Sequence, residues 1–440
     1  MTELLTAGAA AVDMTPRDSL HLYGYPHVAR DSTGVHDPLL SSALYLSDGA
    51  TAAMFIANDI IYVPKPIAAS ARRRIEQATG VPAANIMVTA THTHSGPVTM
   101  DYISHEADPI VPKADLKYVR FMEDSIVGGA VEAFRAAEPA QIGLAVADAR
   151  GIGTNRRDPS GPADLSVPVL MLRSADGRTD IAVMLVCSMH PTVLHEDSTL
   201  ITGDFPAMAR QYLQSTVLAP NCPVLHHTGP AGNQSPRHVT SANTFPEAER
   251  IGKLLGTAVQ QAIETIRFTS DVSIECCGRC VDLPRRALVS VPEAEEKLNK
   301  AVRRLKELRE SGAPHSTIRT AECDWFGAEE TLTLAQASRD GRLDACHATS
   351  LPAEVQVIRI GPWTFVGWQG EIFIEYALAV KDRLENTFVI SLANGELQGY
   401  IVTPEAAAEG GYEASNSLFG PGTGQVLVDA TLEILANDGR

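Results

Sequence analysis

The sequence predicts an α/β domain built on a mixed, largely parallel sheet with flanking helices. An almost continuous apolar run at residues 52–60 is typical of a strand that is buried on both faces. A helical pattern at residues 66–77 separates this run from a second strand, Ile86–Ala90. This β-α-β order implies a parallel pair joined by a right-handed crossover. Similar strands and helices then alternate along the chain, which favours the α/β class.

The remaining elements follow from apolar periodicity and from Gly, Pro and Asp at their ends. Residues 8–63 are β-rich as a whole. Further strands are predicted at residues 181–187, 223–227, 353–360, 364–368 and 387–392. Further helices are predicted at residues 118–136, 205–216, 246–266, from 371 to about 384, and near 426–435.

Residues 291–345 differ in character and predict a helical insertion between sheet strands. A charged helix spans residues 293–310, a Ser-Gly-Ala-Pro segment interrupts it, and a second helix is expected at residues 328–337. The charged face is expected to be solvated rather than functional. With no repeat or flexible linker, the sequence predicts a single catalytic domain over residues 1–440 that carries this insertion.

Composition excludes several classes of partner. The chain has 440 residues, 45% of them hydrophobic, and a formal net charge of −17, so no basic surface is available for nucleic acid or anionic membranes. The N-terminus lacks the basic and apolar regions of a signal peptide, and no segment resembles a membrane span. Seven cysteines, an odd number, fit reduced thiols. We therefore expect a cytoplasmic protein without stable membrane association, and assembly into a homo-oligomer stays open.

Two histidines follow the strand Ile86–Ala90 directly, in the segment Thr91-His92-Thr93-His94-Ser95-Gly96-Pro97. On extended backbone, both side chains of a His-x-His segment point to one face and could address one centre. Neutral histidine is the commonest metal ligand. A Cys-Cys-x-x-Cys group at residues 276–280 is a weaker metal candidate, because no second cysteine pair lies at zinc-site spacing.

Polar, metal-competent residues also follow the other predicted strands. A buried sheet has no need of such residues at one strand end after another, whereas a catalytic zinc site needs a few N/O ligands and an oriented surrounding shell. These residues are His92, His94, His190, Ser235, Glu371 and Tyr400. Asp59 is expected at the same edge of the sheet, and His195 is an alternative to His190.

Three separated motifs resemble the neutral (non-lysosomal) ceramidase family, in the family's order. The first is the Thr-His-Thr-His-Ser-Gly-Pro segment, and the second is Gly232-Asn233-Gln234-Ser235-Pro236, where the family usually has Gly-Asp-x-Ser-Pro. The third is a block from Tyr400 through Tyr412-Glu413 to Pro421. Asn233 thus removes a negative charge beside the serine. The resemblance implies the family's catalytic fold, and we expect its C-terminal β-sandwich to be missing.

The resemblance also implies roles for individual residues. It implies zinc ligands at His92, His190, Glu371 and Tyr400, and catalytic or substrate-contacting roles for His94, Arg156, Ser235 and Tyr412. His94 is the candidate for proton transfer, whereas Ser235 is expected to position water or substrate. Arg157 beside Arg156 leaves the register of the arginine open.

The expected function is zinc-dependent hydrolysis of a linear N-acyl amide through a zinc-activated water. Because we expect the sandwich and a secretion signal to be missing, we also expect a small, soluble acyl amide as substrate. Two alternatives stay open, an ester or lactone hydrolase and a non-catalytic protein that zinc merely holds together. A site with an open position for water favours catalysis over a structural role.

Overall fold

The structure, a computed structural model, describes residues 5–437. Its strands are β1 Thr6–Asp13, β2 Gly34–Val35, β3 Leu40–Ser47, β4 Ala52–Asn58, β5 Ile86–Ala90, β6 Glu138–Asp148, β7 Thr154–Asn155, β8 Ser166–Ser174, β9 Asp180–Cys187, β10 Leu200–Ile201, β11 Val224–Thr228, β12 Gln234–Ser235, β13 Ile274–Val281, β14 Ala353–Ile360, β15 Trp363–Trp368, β16 Glu371–Ile372, β17 Thr387–Ile390 and β18 Tyr400–Ile401. Its α-helices are α1 Lys65–Thr79, α2 Leu116–Arg135, α3 Asp204–Thr216, α4 Phe245–Ile263, α5 Val291–Glu310, α6 His315–Arg339, α7 Arg342–Ser350, α8 Ile374–Lys381, α9 Pro404–Glu409, α10 Tyr412–Ser415 and α11 Thr423–Asn437.

Eight strands form the larger sheet, in the order β11-β9-β8-β6-β1-β3-β4-β5. The mixed α/β class is therefore confirmed. The predicted parallel pair of β4 and β5 is also present, with Met54 opposite Ile86.

The expectation of a largely parallel sheet is wrong for this larger sheet. Only β4 with β5 and β9 with β11 are parallel, and the other five neighbouring pairs are antiparallel. The physical reason lies in the connections, because β3 to β4 and β8 to β9 are joined by short turns that reverse the chain, without a crossover helix. Apolar runs read the same in either direction, so the sequence pattern did not distinguish the two arrangements.

A second sheet of four strands, β13-β14-β15-β17, packs against the first one. Buried apolar residues from both sheets form one cluster, in which the rings of Phe55 and Phe365 have centroids 5.4 Å apart. Helices α1 to α4 cover the outer face of the large sheet, and α8 and α11 pack on the second sheet. The order of layers is thus helix, sheet, sheet, helix.

Helices α5, α6 and α7 lie between the adjacent antiparallel strands β13 and β14, where the sequence predicts a helical insertion. Helix α5 begins with a capping box between Ser290 and Glu293. Helix α6 is longer than the predicted 328–337 and packs on α5 and α10. Its polar sequence has no strong apolar stripe, which is why the pattern shows only part of it.

Among the helices within residues 5–437, none combines the length and the apolar composition that crossing a membrane requires.

Candidate metal centre

Three histidine rings meet where strands β5 and β9 end. One ring nitrogen from each of His92, His94 and His190 lies within 4.8 Å of the others. The Nε2 atoms of His92 and His190 are 3.1 Å apart, and Nε2 of His94 is 3.4 Å from that of His92. An oxygen of Glu371, on β16, lies 3.2 Å from Nε2 of both His92 and His190. This group of four residues is called the histidine–carboxylate cluster below.

Backbone carbonyls hold two of these rings in one orientation. Nδ1 of His92 lies 3.0 Å from the carbonyl oxygen of Ile61, and Nδ1 of His190 lies 2.6 Å from that of Ala231. A carbonyl only accepts, so each Nδ1 must carry the proton and donate it. In the neutral rings both Nε2 atoms are then acceptors with lone pairs directed at each other. A histidine that binds a metal through Nε2 adopts this tautomer, and the other ring nitrogen then donates to a fixed acceptor.

The backbone at His92 differs from the expected extended conformation. Its φ is +69°, in the left-handed region that residues other than glycine rarely occupy. The His92 N–H donates to the carbonyl of Ile60 at 2.9 Å, which ties the loop after β5 to the loop after β4. The rings of His92 and His94 therefore meet through a turn of the chain and not through strand alternation. Such strain is common where a site requires one side-chain direction.

Burial keeps two rings of the cluster, His94 and His190, neutral by lowering their pKa values. The pKa of His190 is lowered to about 4, first by burial and then by the charge of Arg156. Burial and the neighbouring rings also hold the pKa of His94 well below its ordinary value. Burial raises the pKa of Glu371, but the rings of His92 and His190 outweigh it and keep that pKa well below the ordinary value. Neutral imidazoles around a carboxylate are a donor set that could hold a divalent metal ion.

A tyrosine that sequence reasoning missed binds the carboxylate. The hydroxyl of Tyr62 donates to Oε1 of Glu371 at 2.7 Å, while Oε2 faces the histidines. Tyr62 follows β4 within a few residues, so its position after a strand was the available signal. Asp59 lies at this edge as expected, directly after β4, and its carboxylate forms an ion pair with Arg210 at 2.8 Å.

His94 is the member of the cluster that stays partly exposed. The loop at Gly24 and Tyr25 covers it, with the Tyr25 ring edge-on to the His94 ring at 5.3 Å. Gly24 has φ +114°, and a Cβ there would stand 2.4 Å from Nδ1 of His94. Only glycine permits this approach. Nδ1 of His94 has no hydrogen-bond partner among the described residues.

Tyr400 and Arg156 lie together beside Glu371. In the parallel pair β16–β18, Tyr400 is the register partner of Glu371. The guanidinium of Arg156 lies over the Tyr400 ring at 5.2 Å, and its Nε donates to Glu413 at 2.8 Å. The buried Nη2 of Arg156 has no partner among the described residues. The Tyr412 ring is 5.9 Å from that of Tyr400.

Burial, with the charge of Glu371, holds the pKa of Tyr400 well above its ordinary value. The phenol therefore keeps its proton unless a cation lies beside it. Arg157 forms a separate ion pair with Glu413 and does not reach the Tyr400 ring within the described contacts. This geometry favours Arg156 over Arg157 as the arginine of the site, and the role itself stays a prediction.

Ser235 is buried next to the segment that holds His190. Its Oγ accepts the N–H of Arg237 at 3.2 Å and caps a short 3-10 helix at residues 236–238. The preceding residue, Gln234, offers its carbonyl to Nδ1 of His190 at 3.1 Å. Asn233 binds Glu375 through its side-chain amide at 2.8 Å. Ser235 thus has a local structural role, whatever its part in chemistry.

Two other candidates lie apart from the cluster. His195 contacts Asn243 at 3.0 Å, so the structure places His190 and not His195 beside His92. Cys276, Cys277 and Cys280 lie on β13, and the cluster of metal-competent residues found within residues 5–437 does not include them.

Comparison with known proteins agrees with the motifs. Residues 5–222 match the family described as neutral/alkaline non-lysosomal ceramidase, N-terminal. The fold resembles the crystal structure of neutral ceramidase from Pseudomonas aeruginosa, with TM-score 0.76 and 18% identity over 99% of this chain and 75% of that chain. A ceramidase structure described as complexed with C2 gives TM-score 0.75 and 17% identity, over 99% and 76%. No curated protein matches the sequence. The predicted resemblance to neutral ceramidases is therefore confirmed.

Proposed function

We propose that this chain is a zinc-dependent hydrolase that cleaves the amide bond of a small N-acyl compound. The observation that carries the proposal is the convergence of Nε2 of His92, Nε2 of His190 and a carboxylate oxygen of Glu371 within 3.2 Å of one another. All three atoms are acceptors in the neutral tautomers described above. Such acceptors repel each other unless a cation lies among them, and N/O donors of this kind suit Zn²⁺.

His92, His190 and Glu371 would hold the metal, and Tyr400 is the fourth ligand that the ceramidase resemblance implies. The carbonyls of Ile61 and Ala231 would fix the two rings by accepting their Nδ1–H protons. When bound, zinc supplies a Lewis acid that polarises a carbonyl and lowers the pKa of water toward ~7. The donor set therefore fits both the ion and hydrolytic chemistry.

The neighbouring side chains would bind the substrate and move protons. His94 is partly exposed and its Nε2 lies 3.4 Å from that of His92, so it would take a proton and pass it to the leaving amine. The unpaired Nη2 of Arg156 and the hydroxyl of Tyr412 would donate to the carbonyl oxygen as charge develops on it. One well-placed donor of this kind contributes about 3–4 kcal/mol.

We extend the proposal to small, soluble acyl amides because charged residues stand near the covering loop. Arg319 of α6 pairs with Glu196 at 2.5 Å, and both charges act on Tyr25, the residue that lies against His94. A long alkyl chain gains no binding energy from contact with such an ion pair, whereas a polar substrate can form hydrogen bonds with it.

Metal content and a substrate panel test the proposal together. We expect about one zinc ion per chain in the purified protein, loss of activity on chelation, and recovery when zinc is returned. The panel would contain short N-acyl amides, matched esters and lactones, and detergent-dispersed ceramide. Short amides should be hydrolysed fastest. A protein without transition metal whose activity resists chelation would contradict the metal role, and faster turnover of ceramide would contradict the substrate.

A further inference from the structure

We infer that Tyr62 is a positioning residue for the carboxylate of Glu371, and that the inserted helix α6 takes part in this through Glu330. The inference rests on the proposed function, because in that proposal Glu371 is a zinc ligand. It also differs from the sequence-based expectation, which treats the charged insertion as a solvated element without a role in the site.

Tyr62 controls which oxygen of Glu371 faces the histidines. Its hydroxyl donates to Oε1 at 2.7 Å, which leaves Oε2 at 3.2 Å from both His92 and His190. The Tyr62 ring also packs against the His92 ring, with centroids 5.2 Å apart. A carboxylate that lacked this bond could rotate and present either oxygen. Hydrogen-bond partners of this kind orient metal ligands in proteins generally.

The ring of Tyr62 is in turn held by two other tyrosines, and a histidine packs on both of these. Tyr102 stacks on Tyr62 with centroids 5.5 Å apart and 16° between the planes, and Tyr23 meets it edge-on at 6.3 Å. His105 packs on both Tyr23 and Tyr102. Its Nδ1 lies 2.7 Å from the hydroxyl of Tyr23. These three residues form an aromatic layer behind the carboxylate ligand.

Glu330 fastens this layer to helix α6. Its Oε1 lies 3.0 Å from Nε2 of His105, so the chain of contacts runs from Glu330 through His105 and Tyr23 to Tyr62. Glu330 is only 1% exposed, unlike most acidic residues of the insertion. Burying a carboxylate is costly unless it is bound. Oε2 of Glu330 has no hydrogen-bond partner among the described residues, so the contact of Oε1 with His105 is the one that offsets this cost.

A cavity explains why the layer needs such a link. Tyr23, Tyr102 and His105 line a cavity of about 340 Å³, together with residues of α7 and of the segment 111–113. Close packing therefore does not hold these rings on the cavity side. The hydrogen bond between His105 and Glu330 restrains the ring of His105 on the side where packing does not.

Zinc affinity of purified variants, measured by competition with a chromogenic chelator, tests the role of Tyr62. Tyr62→Phe removes the hydroxyl and keeps the ring, and we expect zinc to bind roughly 10–100-fold more weakly. Tyr118→Phe is the matched control, because Tyr118 is also buried and donates its hydroxyl to the carbonyl of Met14, away from the cluster. Its zinc affinity should equal that of the wild type.

A double-mutant cycle tests the link to α6. Glu330→Gln should weaken zinc binding, and adding it to Tyr62→Phe should weaken binding no further, since both act on one carboxylate. Glu329→Gln is the control on the same helix, where the carboxylate binds the indole of Trp325 at 3.1 Å. Independent, additive losses would overturn the link between Glu330 and Tyr62.

The outcomes separate this inference from the proposed function. A wild-type protein that binds no zinc would overturn both. A wild type that binds zinc, with Tyr62→Phe binding equally well, would overturn the inference alone. If Tyr62→Phe fails to fold, Glu330→Gln decides, and an unchanged zinc affinity in that variant overturns the inference.

Discussion

Two pairs of buried histidines in this molecule have opposite arrangements. His92 and His190 come from different loops, and both direct Nε2 toward one point while a carbonyl accepts each Nδ1–H. His226 and His227 are neighbours on β11, so their side chains point to opposite faces. Neither nitrogen of His226 has a partner among the described residues, and His227 bonds only through Nδ1, to Thr89 at 2.7 Å.

The comparison shows that burial alone does not distinguish a site from a core. Burial lowers the pKa of His190 to about 4, and it lowers the pKa values of His226 and His227 to about 3. The pKa shifts are therefore at least as large for two rings that point to opposite faces of a strand. What distinguishes His92 and His190 is that their Nε2 atoms converge on one point. The Nδ1 atom of each ring is already bound to a backbone carbonyl.

The sharpest test of this comparison replaces one histidine from each pair. His190→Ala removes a ring whose Nε2 faces the common point, so we expect loss of bound zinc and of nearly all hydrolytic activity. His226→Leu removes an equally buried ring and should keep both. Elemental analysis and amide turnover of the two folded variants provide the measurements. Equal zinc content in the two variants would remove the proposed difference between the pairs.

The next largest effect separates His94 from His92. His92→Ala should lose zinc, whereas His94→Ala should keep zinc and lose roughly 10²–10⁴-fold in turnover, as expected for a proton-transfer group. The competing arrangement is ligation by both rings, since their Nε2 atoms are only 3.4 Å apart. Metal content of the two variants decides between them. Complete zinc loss from His94→Ala would make it a ligand.

Much of this architecture could be predicted from apolar runs and their ends. Residues 86–90 were predicted as a strand and form β5 with the same bounds, and residues 66–77 lie within α1. The direction of the strands was not predictable, because an apolar run has no direction. The second sheet was missed for a related reason, since a strand buried between two sheets reads like one buried under helices.

The site was predictable only where its residues follow strands. His92, His190 and Glu371 come together as polar residues after apolar strands, which is what the sequence pattern indicates. The carbonyls of Ile61 and Ala231 were not predictable, because every residue has a carbonyl and its direction depends on the turn. Glu330 was missed because an acidic residue in a charged helix looks solvated until its partner His105 is known.

Acid sensitivity of the metal-free protein tests the second histidine pair. The unfolded chain protonates His226 below its ordinary pKa of 6.5, whereas the folded chain does so only near pH 3. The free energy of unfolding therefore falls as the pH drops from 6.5 to 3, by about 2 kcal/mol for this group at pH 5.

Urea unfolding at pH 7 and pH 5, with chelator present, measures this effect. His226→Leu should reduce the loss of stability between the two pH values by about 2 kcal/mol. His238→Leu, at an exposed position, is the control and should leave that loss unchanged. An equal loss in wild type and His226→Leu would show that the buried ring does not carry the acid sensitivity.

The smallest expected effect concerns Ser235, for which the sequence and the structure suggest different roles. Its Oγ accepts the Arg237 N–H at 3.2 Å, and removing a cap of this kind costs about 0.5–1 kcal/mol. Ser235→Ala should therefore lower the free energy of unfolding by that amount and keep zinc, because the carbonyl of Gln234 still faces His190. Ser235→Thr keeps the hydroxyl and serves as the control. If Ser235 only caps the short helix, turnover in Ser235→Ala stays within a few-fold of wild type. A loss as large as that of His94→Ala, in a variant that keeps its zinc and its stability, would instead place the serine hydroxyl in contact with the reacting groups.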